Sequence, residues 1–151
     1  MLTAGKQLRR RRGRGSAVLE FALSSTVLFL LFAGMADLTR MFYYARIVTN
    51  AARAGVQYGM YNATHNTDTT DMQAYALADA SNLTGMTANA TYYCTCPSTT
   101  GTVTCGSTCT GGTTARMYDS VTTSYPFAAT VIWPMLPTSF TISYTAVMRV
   151  Q

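Results

Sequence analysis

The stretch that decides the fold is residues 9–36, RRRRGRGSAVLEFALSSTVLFLLFAGMA. Five arginines stand before Gly15, and an apolar run of 21 residues, 16–36, follows it. At 1.5 Å per residue this run forms a helix about 31 Å long, which is enough to cross a bilayer. We therefore predict a basic leader over residues 1–15 and a transmembrane helix over residues 16–36.

One acidic residue, Glu20, interrupts the apolar run, and it is the only glutamate in the chain. A carboxylate in a membrane-length apolar segment costs on the order of 3 kcal/mol, so it indicates a functional position. The arginine cluster lies on the other side of Gly15. Clustered cations beside a span stay on the cytoplasmic side, which predicts a cytoplasmic amino terminus and an extracytoplasmic carboxy-terminal domain.

The excess positive charge of the chain is confined to the leader. Six of the 11 lysines and arginines precede Ser16. A chain beginning at Ser16 therefore has five basic and six acidic residues, which gives a net charge of −1. The isoelectric point near 9.2 therefore gives no argument for nucleic-acid binding. We expect no nucleic-acid partner.

Two simpler interpretations of the apolar run remain open. A secretory signal peptide would be cut after the small residues of Gly34-Met35-Ala36, and the mature chain would then begin at Asp37. A discarded signal gains nothing from a buried acid, so this interpretation leaves Glu20 unexplained. An uncleaved membrane anchor is the other alternative.

The helical pattern continues beyond the span, over residues 37–61. Apolar residues recur there at steps of three and four, whereas Arg40, Asn50 and Arg53 lie largely off that stripe. The pattern predicts an amphipathic rod whose small distal residues allow close packing, and we expect that packing to be against the chain's own domain rather than at a special interface. The stripe consists of Leu38, Met41, Phe42, Ala45, Val48, Ala52, Gly55 and Val56.

Residues 62–151 are expected to form one small globular domain. Residues 62–70 are polar and predict a loop in which His65 is solvated, and Asp71 is expected to cap a short helix. From Ala88 onward the period changes to two, which indicates antiparallel strands. The expected fold is α+β, with the long helix packed on a small sheet. The predicted strands cover residues 91–96, 102–105, 116–125 and 140–150.

Four cysteines, Cys94, Cys96, Cys105 and Cys109, lie within 16 residues of a domain expected outside the cytoplasm, where disulfides form. Of the three possible pairings, the one that bridges the neighbours Cys94 and Cys96 is geometrically the least favourable. We favour the nested pairs Cys96–Cys105 and Cys94–Cys109, which would close a hairpin. A zinc site is the alternative.

Sequence patterns of enzyme active sites do not occur in the chain. It has no Gly-rich phosphate loop, no paired carboxylates and no Ser/His/Asp set. We therefore expect no catalytic residue, no cofactor, no metal and no small-molecule substrate.

Four further motifs stand beside the junction at Gly15. They are GMADLTR at 34–40, NAARAGVQYG at 50–59, SYPF at 124–127 and FTISYTAVMRV at 140–150. With the basic leader and an acid five residues after Gly15, they resemble the TadE-like pilus assembly proteins, minor pilins or pseudopilins of the tight-adherence (Tad) branch of type IV pili. Family members often have a helix-bending proline where this chain has Ser24-Ser25-Thr26, and Asp37 replaces a usual glutamate.

The resemblance implies a non-enzymatic minor pilin that takes part in Tad pilus assembly and surface adhesion. A prepilin peptidase would cut between Gly15 and Ser16, and Glu20 and Phe21 would act in assembly. The single-pass protein would stay in the inner membrane, with the peptidase, other Tad pilins, inner-membrane assembly proteins and the lipid bilayer as partners. The alternative is a membrane-anchored extracytoplasmic binding or adhesion module that never enters a filament.

Overall fold

The computed structural model describes residues 12–97, 100–131 and 137–150, so most of the predicted leader falls outside the described residues. One long helix, α1, comes first, and a short helix and four strands follow it. The chain divides into two compact units, Met1–Thr39 and Arg40–Gln151. The elements are α1 (Arg12–Met60), α2 (Thr69–Asp79), β1 (Thr87–Thr95), β2 (Thr102–Val103), β3 (Arg116–Ala128) and β4 (Ser139–Arg149).

The four strands form one antiparallel sheet in the order β2-β1-β3-β4. Ala90 of β1 lies opposite Val121 of β3, which lies opposite Ala146 of β4. The two-residue period therefore places these apolar side chains on one face. The predicted α+β fold, with a long apolar helix and a small antiparallel sheet, is confirmed.

Strand β3 continues three residues beyond its predicted end, through Pro126 to Ala128. Pairing with β1 stops at Ser124, so beyond this residue only β4 flanks β3. Proline lacks a backbone N–H and is tolerated where a strand has no neighbour on that side. The missing donor of Pro126 therefore costs the sheet no hydrogen bond.

The second unit has its core between the sheet and the distal part of α1. Val48, Ala52 and Val56 are fully buried on the helix, and Val121 is fully buried on the sheet. The Thr123 hydroxyl donates to the Val48 carbonyl over 2.8 Å, which satisfies a polar side chain inside this core. The prediction that the distal half of the long helix covers the sheet is confirmed.

The apolar stripe predicted on α1 is wrong at its proximal end. Leu38 and Phe42 are 49% and 58% exposed, whereas Tyr44 and Ile47 pack against the core. At 3.6 residues per turn, Phe42 lies about 240° around the helix from Val48. Both groups of residues show steps of three and four, so the sequence pattern alone did not select the buried face.

Two glycines bring α1 close to its neighbours. A Cβ at Gly55 would lie 2.7 Å from the Met72 carbonyl oxygen of α2 and 3.1 Å from Val121. A Cβ at Gly59 would collide with the carboxylate of Asp119. The small residues at the distal end of α1 thus serve packing within the chain's own domain, as predicted.

The cap of α2 differs from the prediction. Asp68, not Asp71, is the N-cap, and its side chain accepts from the backbone N–H of Asp71 over 3.0 Å. Asp71 lies in the first turn, where an acid also favours the helix dipole. Asp68 and Asp71 are three residues apart, and aspartate favours the N-cap position at either place. The sequence therefore did not distinguish them, and the predicted start of α2 was one turn too late.

Candidate membrane and assembly site

The first part of α1 presents an apolar surface without cover in its own unit. The 18-residue window that identifies Gly15–Met60 as long and apolar enough to cross a membrane has none of its residues buried. Exposed apolar patches of this size mark a contact with lipid or another protein. The exposed side chains include Val18, Leu19, Phe21, Leu23, Val27, Leu28, Phe29, Leu30, Leu31 and Phe32.

The sequence-predicted processing and assembly residues all lie on this helical stretch. Gly15, Ser16 and Glu20 are exposed, and Phe21 is 75% exposed. Apart from the neighbouring residues and the backbone of the helix itself, no described atom lies within 4 Å of the position that a Cβ at Gly15 would occupy. Residues four apart share one face of a helix, so Ser16 and Glu20 are neighbours on the surface of α1. The helix supplies this proximity, and the roles of these residues remain predictions.

The helix is unbroken at Ser24-Ser25-Thr26, where family members often have proline. The hydroxyls of Ser25 and Thr26 both donate to the Ala22 carbonyl, over 3.0 and 2.9 Å. Such bonds satisfy polar side chains inside an apolar segment without removing a backbone hydrogen bond. This departure from the family pattern therefore leaves the helical assignment intact.

The exposed apolar stretch and the rod that follows it are similar in sequence to a known protein family. Residues 15–57 match the TadE-like protein family. This TadE-like segment contains Glu20 and the buried residues Val48, Ala52 and Val56, and it confirms the resemblance expected from the sequence over that part of the chain. The match supports an association with the Tad pilus. Neither a characterised protein nor a solved structure shows significant similarity to the chain.

Beyond the TadE-like segment, all four cysteines form disulfides, but not in the favoured pairing. The bonds are Cys94–Cys105 and Cys96–Cys109, with Cα–Cα distances of 5.2 and 5.6 Å. The nested pairing assumed one hairpin reaching Cys109, whereas β2 ends at Val103. The Ser107 N–H then donates to the Thr104 carbonyl in a turn, so the chain reverses before Cys109. Because every cysteine sulfur is bonded to another, the zinc alternative has no thiolate ligands.

A column of aromatic rings forms where α1 ends, and it includes His65. Tyr58 stacks on His65 at 4.2 Å and on Tyr75 at 4.3 Å, and Tyr61 lies 5.8 Å from His65. Asn62 folds the loop back, since its side-chain oxygen accepts from the backbone N–H of His65 over 3.1 Å. The expectation that His65 is solvated is wrong, because the ring is half-buried and its Nδ1 has no hydrogen-bond partner among the described residues.

The column is tied to α2 through Tyr58. The Tyr58 hydroxyl donates to Asp71 over 3.0 Å. Partial burial and this carboxylate raise the pKa of Tyr58 to about 12, because both disfavour the phenolate. Tyr58 therefore stays a neutral donor throughout the physiological pH range.

The sequence analysis missed a buried acid, Asp119 of β3. Its side chain is fully buried, and neither carboxylate oxygen has a hydrogen-bond partner among the described residues. Burial raises the pKa of Asp119 to about 6. A signal was present, because Asp119 occupies an inward position in the alternation between Met117 and Val121.

Proposed function

We propose that the chain is a minor pilin or pseudopilin of a Tad pilus, taking part in pilus assembly and surface adhesion without enzymatic activity. The TadE-like match over residues 15–57 and the exposed membrane-length part of α1 support this proposal. The helix would anchor the protein in the inner membrane, with its amino terminus in the cytoplasm and the sheet outside. Its partners would be other Tad pilins and inner-membrane assembly proteins.

The observation that carries the proposal is a single carboxylate on an exposed apolar helix surface. Glu20 lies among large exposed side chains, next to Leu19 and Phe21. Cleavage by a prepilin peptidase after Gly15 would create an ammonium group at Ser16, four residues away. The two opposite charges would pair within one helix or with the opposite charge of a neighbouring subunit, which relieves the cost of placing them in lipid.

This arrangement makes subunit docking selective. If one partner of such a pair is removed, the other charge stays unpaired in a low-dielectric setting at a cost of several kcal/mol. A simple membrane anchor does not need a charged pair in the bilayer, because the length of its apolar helix alone holds it there. Glu20 is therefore the residue that separates an assembling subunit from an anchored module.

The test is a Glu20→Gln variant, which removes the charge and keeps the side-chain length. We expect the variant to be inserted and to keep both disulfides, while the amount of pili sheared from cells falls at least tenfold, since about 1.4 kcal/mol corresponds to that factor. The chain should be detected in sheared wild-type pili by mass spectrometry.

Ser24→Ala is the matched control, since it changes a polar residue one turn further along the same exposed helix surface and removes no charge. Its piliation should equal that of the wild type. Normal piliation and adhesion in the Glu20→Gln variant would contradict the assembly role and favour the membrane-anchored binding or adhesion module.

A further inference from the structure

Strand β3 runs along the second-unit part of α1 in the opposite direction. Near the start of β3, Asp119 lies against Gly59, and near its end the Phe127 ring lies 5.9 Å from the Tyr44 ring. The Arg40 guanidinium lies 5.7 Å from the centre of the Phe127 ring. The end of β3 is therefore beside the first residues of the second unit, where the chain arrives from the exposed apolar stretch of α1.

The aromatic rings at this end of the second unit pack together and are partly exposed. The Phe127 and Phe140 rings are 5.1 Å apart, and the Tyr43 and Tyr44 rings are 5.6 Å apart. Phe42 and Tyr43 are 58% and 56% exposed, and Phe140 is 40% exposed. Single exposed apolar residues are ordinary, but several at one place mark a contact with lipid or another protein. We call Phe42, Tyr43 and Phe140 the aromatic end.

The loops at the two ends of the second unit differ in polarity. Arg40 donates a hydrogen bond to Thr130 in the connection between β3 and β4, so this connection begins at the aromatic end. Its sequence, ATVIWPMLPT at 129–138, contains no charged residue and includes the only tryptophan of the chain. The loops that follow α1 and β1 at the opposite end are polar: NATHNTD at 62–68 and the Thr-, Ser- and Gly-rich stretch at 97–114. Apolar composition is thus concentrated at the end of the unit that is joined to the apolar stretch.

Few residues separate the aromatic end from the predicted transmembrane run. That run ends at Ala36, and at 1.5 Å per residue along α1, Phe42 follows it by about 9 Å and Tyr43 by about 10 Å. Helical side chains lean towards the amino terminus of their helix, so both rings reach back towards the run. The headgroup layer on each side of the hydrocarbon core is about 5–8 Å thick. When residues 16–36 span the core, both rings therefore reach this layer.

We propose that the aromatic end lies in the lipid headgroup layer on the side of the membrane where α1 leaves the bilayer. Tyr43 suits this depth because its ring is apolar and its hydroxyl is polar, and the phenylalanine rings at the same level add apolar area. Arg40, next to these rings, supplies a cation of the kind that anchors a span at its end. The contact sets the distance of the second unit from the bilayer.

A membrane fits this end better than a protein partner does. Phe42 and Tyr44 are about 200° apart around α1, and Tyr44 is on the side that meets Phe127 of the sheet. Exposed rings therefore occur at one level both on the outward side of the helix, at Phe42, and on the sheet, at Phe140. One docked protein covers one side, whereas a membrane surrounds the unit at a single depth. The inference rests on membrane anchoring in the proposed function, but it does not depend on entry into a pilus.

The test measures the depth of single tryptophans in the full chain, reconstituted in phosphatidylcholine nanodiscs, with Trp133→Phe as the background. Tyr43→Trp and Phe140→Trp report on the aromatic end, and Phe29→Trp reports on the apolar stretch. Tyr61→Trp is the matched control, since Tyr61 is a tyrosine at the opposite end of the unit and is 81% exposed. Lipids brominated in the upper acyl chain should lower the fluorescence of Tyr43→Trp and Phe140→Trp by about half and leave that of Tyr61→Trp unchanged, because bromine quenches only rings at its own depth. Lipids brominated near the chain ends should quench Phe29→Trp.

Both disulfides and the circular dichroism spectrum should be kept in these variants, because each replaces one aromatic ring by another. If Phe29→Trp is quenched but Tyr43→Trp or Phe140→Trp is not, the inference is overturned and the membrane anchor still stands. Quenching of Tyr61→Trp to the same extent would also overturn the inference, because the unit would then lie flat on the lipid. An unquenched Phe29→Trp would contradict the membrane anchor itself, and the inference with it.

Discussion

At the scale of single residues, Asp119 is the least usual feature of the core. The carboxyl group lies against Gly59, with no hydrogen-bond partner among the described residues. Burial without a partner disfavours the charged form. Asp119 in the second unit therefore stays protonated to a higher pH than an exposed aspartate does.

The stability of the second unit should fall as pH rises through the window set by Asp119. The unfolded chain loses this proton near the ordinary pKa of 3.8, and the folded chain loses it near 6. Between these values the folded state binds more protons, so stability decreases with rising pH and levels off above about 6. Asp119→Asn should flatten this slope and raise Tm at pH 7 by about 5 °C.

Thermal unfolding of the full chain in detergent, followed by circular dichroism from pH 4.5 to 7.5, measures this effect. Asp79→Asn is the control, because Asp79 is exposed on α2 and its removal should leave the pH slope unchanged. If Tm changes with pH in the same way in the wild type and in Asp119→Asn, Asp119 is not the group that causes the pH dependence.

At the scale of elements, the contact of α1 with α2 and the sheet depends on Gly55. The nearest atom to an added Cβ is the Met72 carbonyl oxygen, which belongs to the backbone and cannot rotate away. Gly55→Ala should therefore destabilise the second unit by about 1–3 kcal/mol, because overpacking outweighs the gain in helix propensity.

Gln57→Ala is the control for this change, since Gln57 is exposed two residues further along α1. Both variants gain an alanine in the helix, but only Gly55→Ala adds an atom at the close contact. Thermal unfolding at one pH compares them, and a higher Tm for Gly55→Ala than for the wild type would show that the helices separate at little cost.

The sequence predicted elements well where a strong period or a long apolar run was present. The long helix α1 and strand β4 were recognisable from the apolar run at residues 16–36, the helical pattern after it and the alternation after Phe140. Features that depend on tertiary contacts were not. Which of Phe42 and Tyr44 faces the core depends on where the sheet lies, and the cysteine pairing depends on the turn between Thr104 and Ser107. Asp119 was missed because an acid was not expected at an inward position.

At the scale of the whole molecule, α1 serves both compact units. Its first part is exposed and apolar, whereas Val48, Ala52 and Val56 belong to the core of the second unit. The TadE-like segment, residues 15–57, includes both kinds of surface. A change before Arg40 in this segment would therefore alter the exposed apolar surface, whereas a change at Val48, Ala52 or Val56 would alter the core of the second unit.

The leader is predicted to be removed between Gly15 and Ser16, which would convert a chain of net charge +5 into one of −1. Gly15→Val should block cleavage at least tenfold, because a branched side chain hinders the approach of a peptidase to the backbone. Gly13→Val, two residues earlier, should be cleaved normally. Amino-terminal sequencing decides: a start at Asp37 would identify a secretory signal, and an intact Met1 in the wild type would identify an uncleaved anchor.

The overlapping disulfides have a consequence for cleavage of the second unit by a protease. Cys94–Cys105 and Cys96–Cys109 together span every peptide bond from Cys94 to Cys109. An environmental protease that cuts this Thr- and Gly-rich segment once would leave both fragments covalently joined. The nicked domain would keep its carboxy-terminal strands β3 and β4, and the damage would become visible only after reduction.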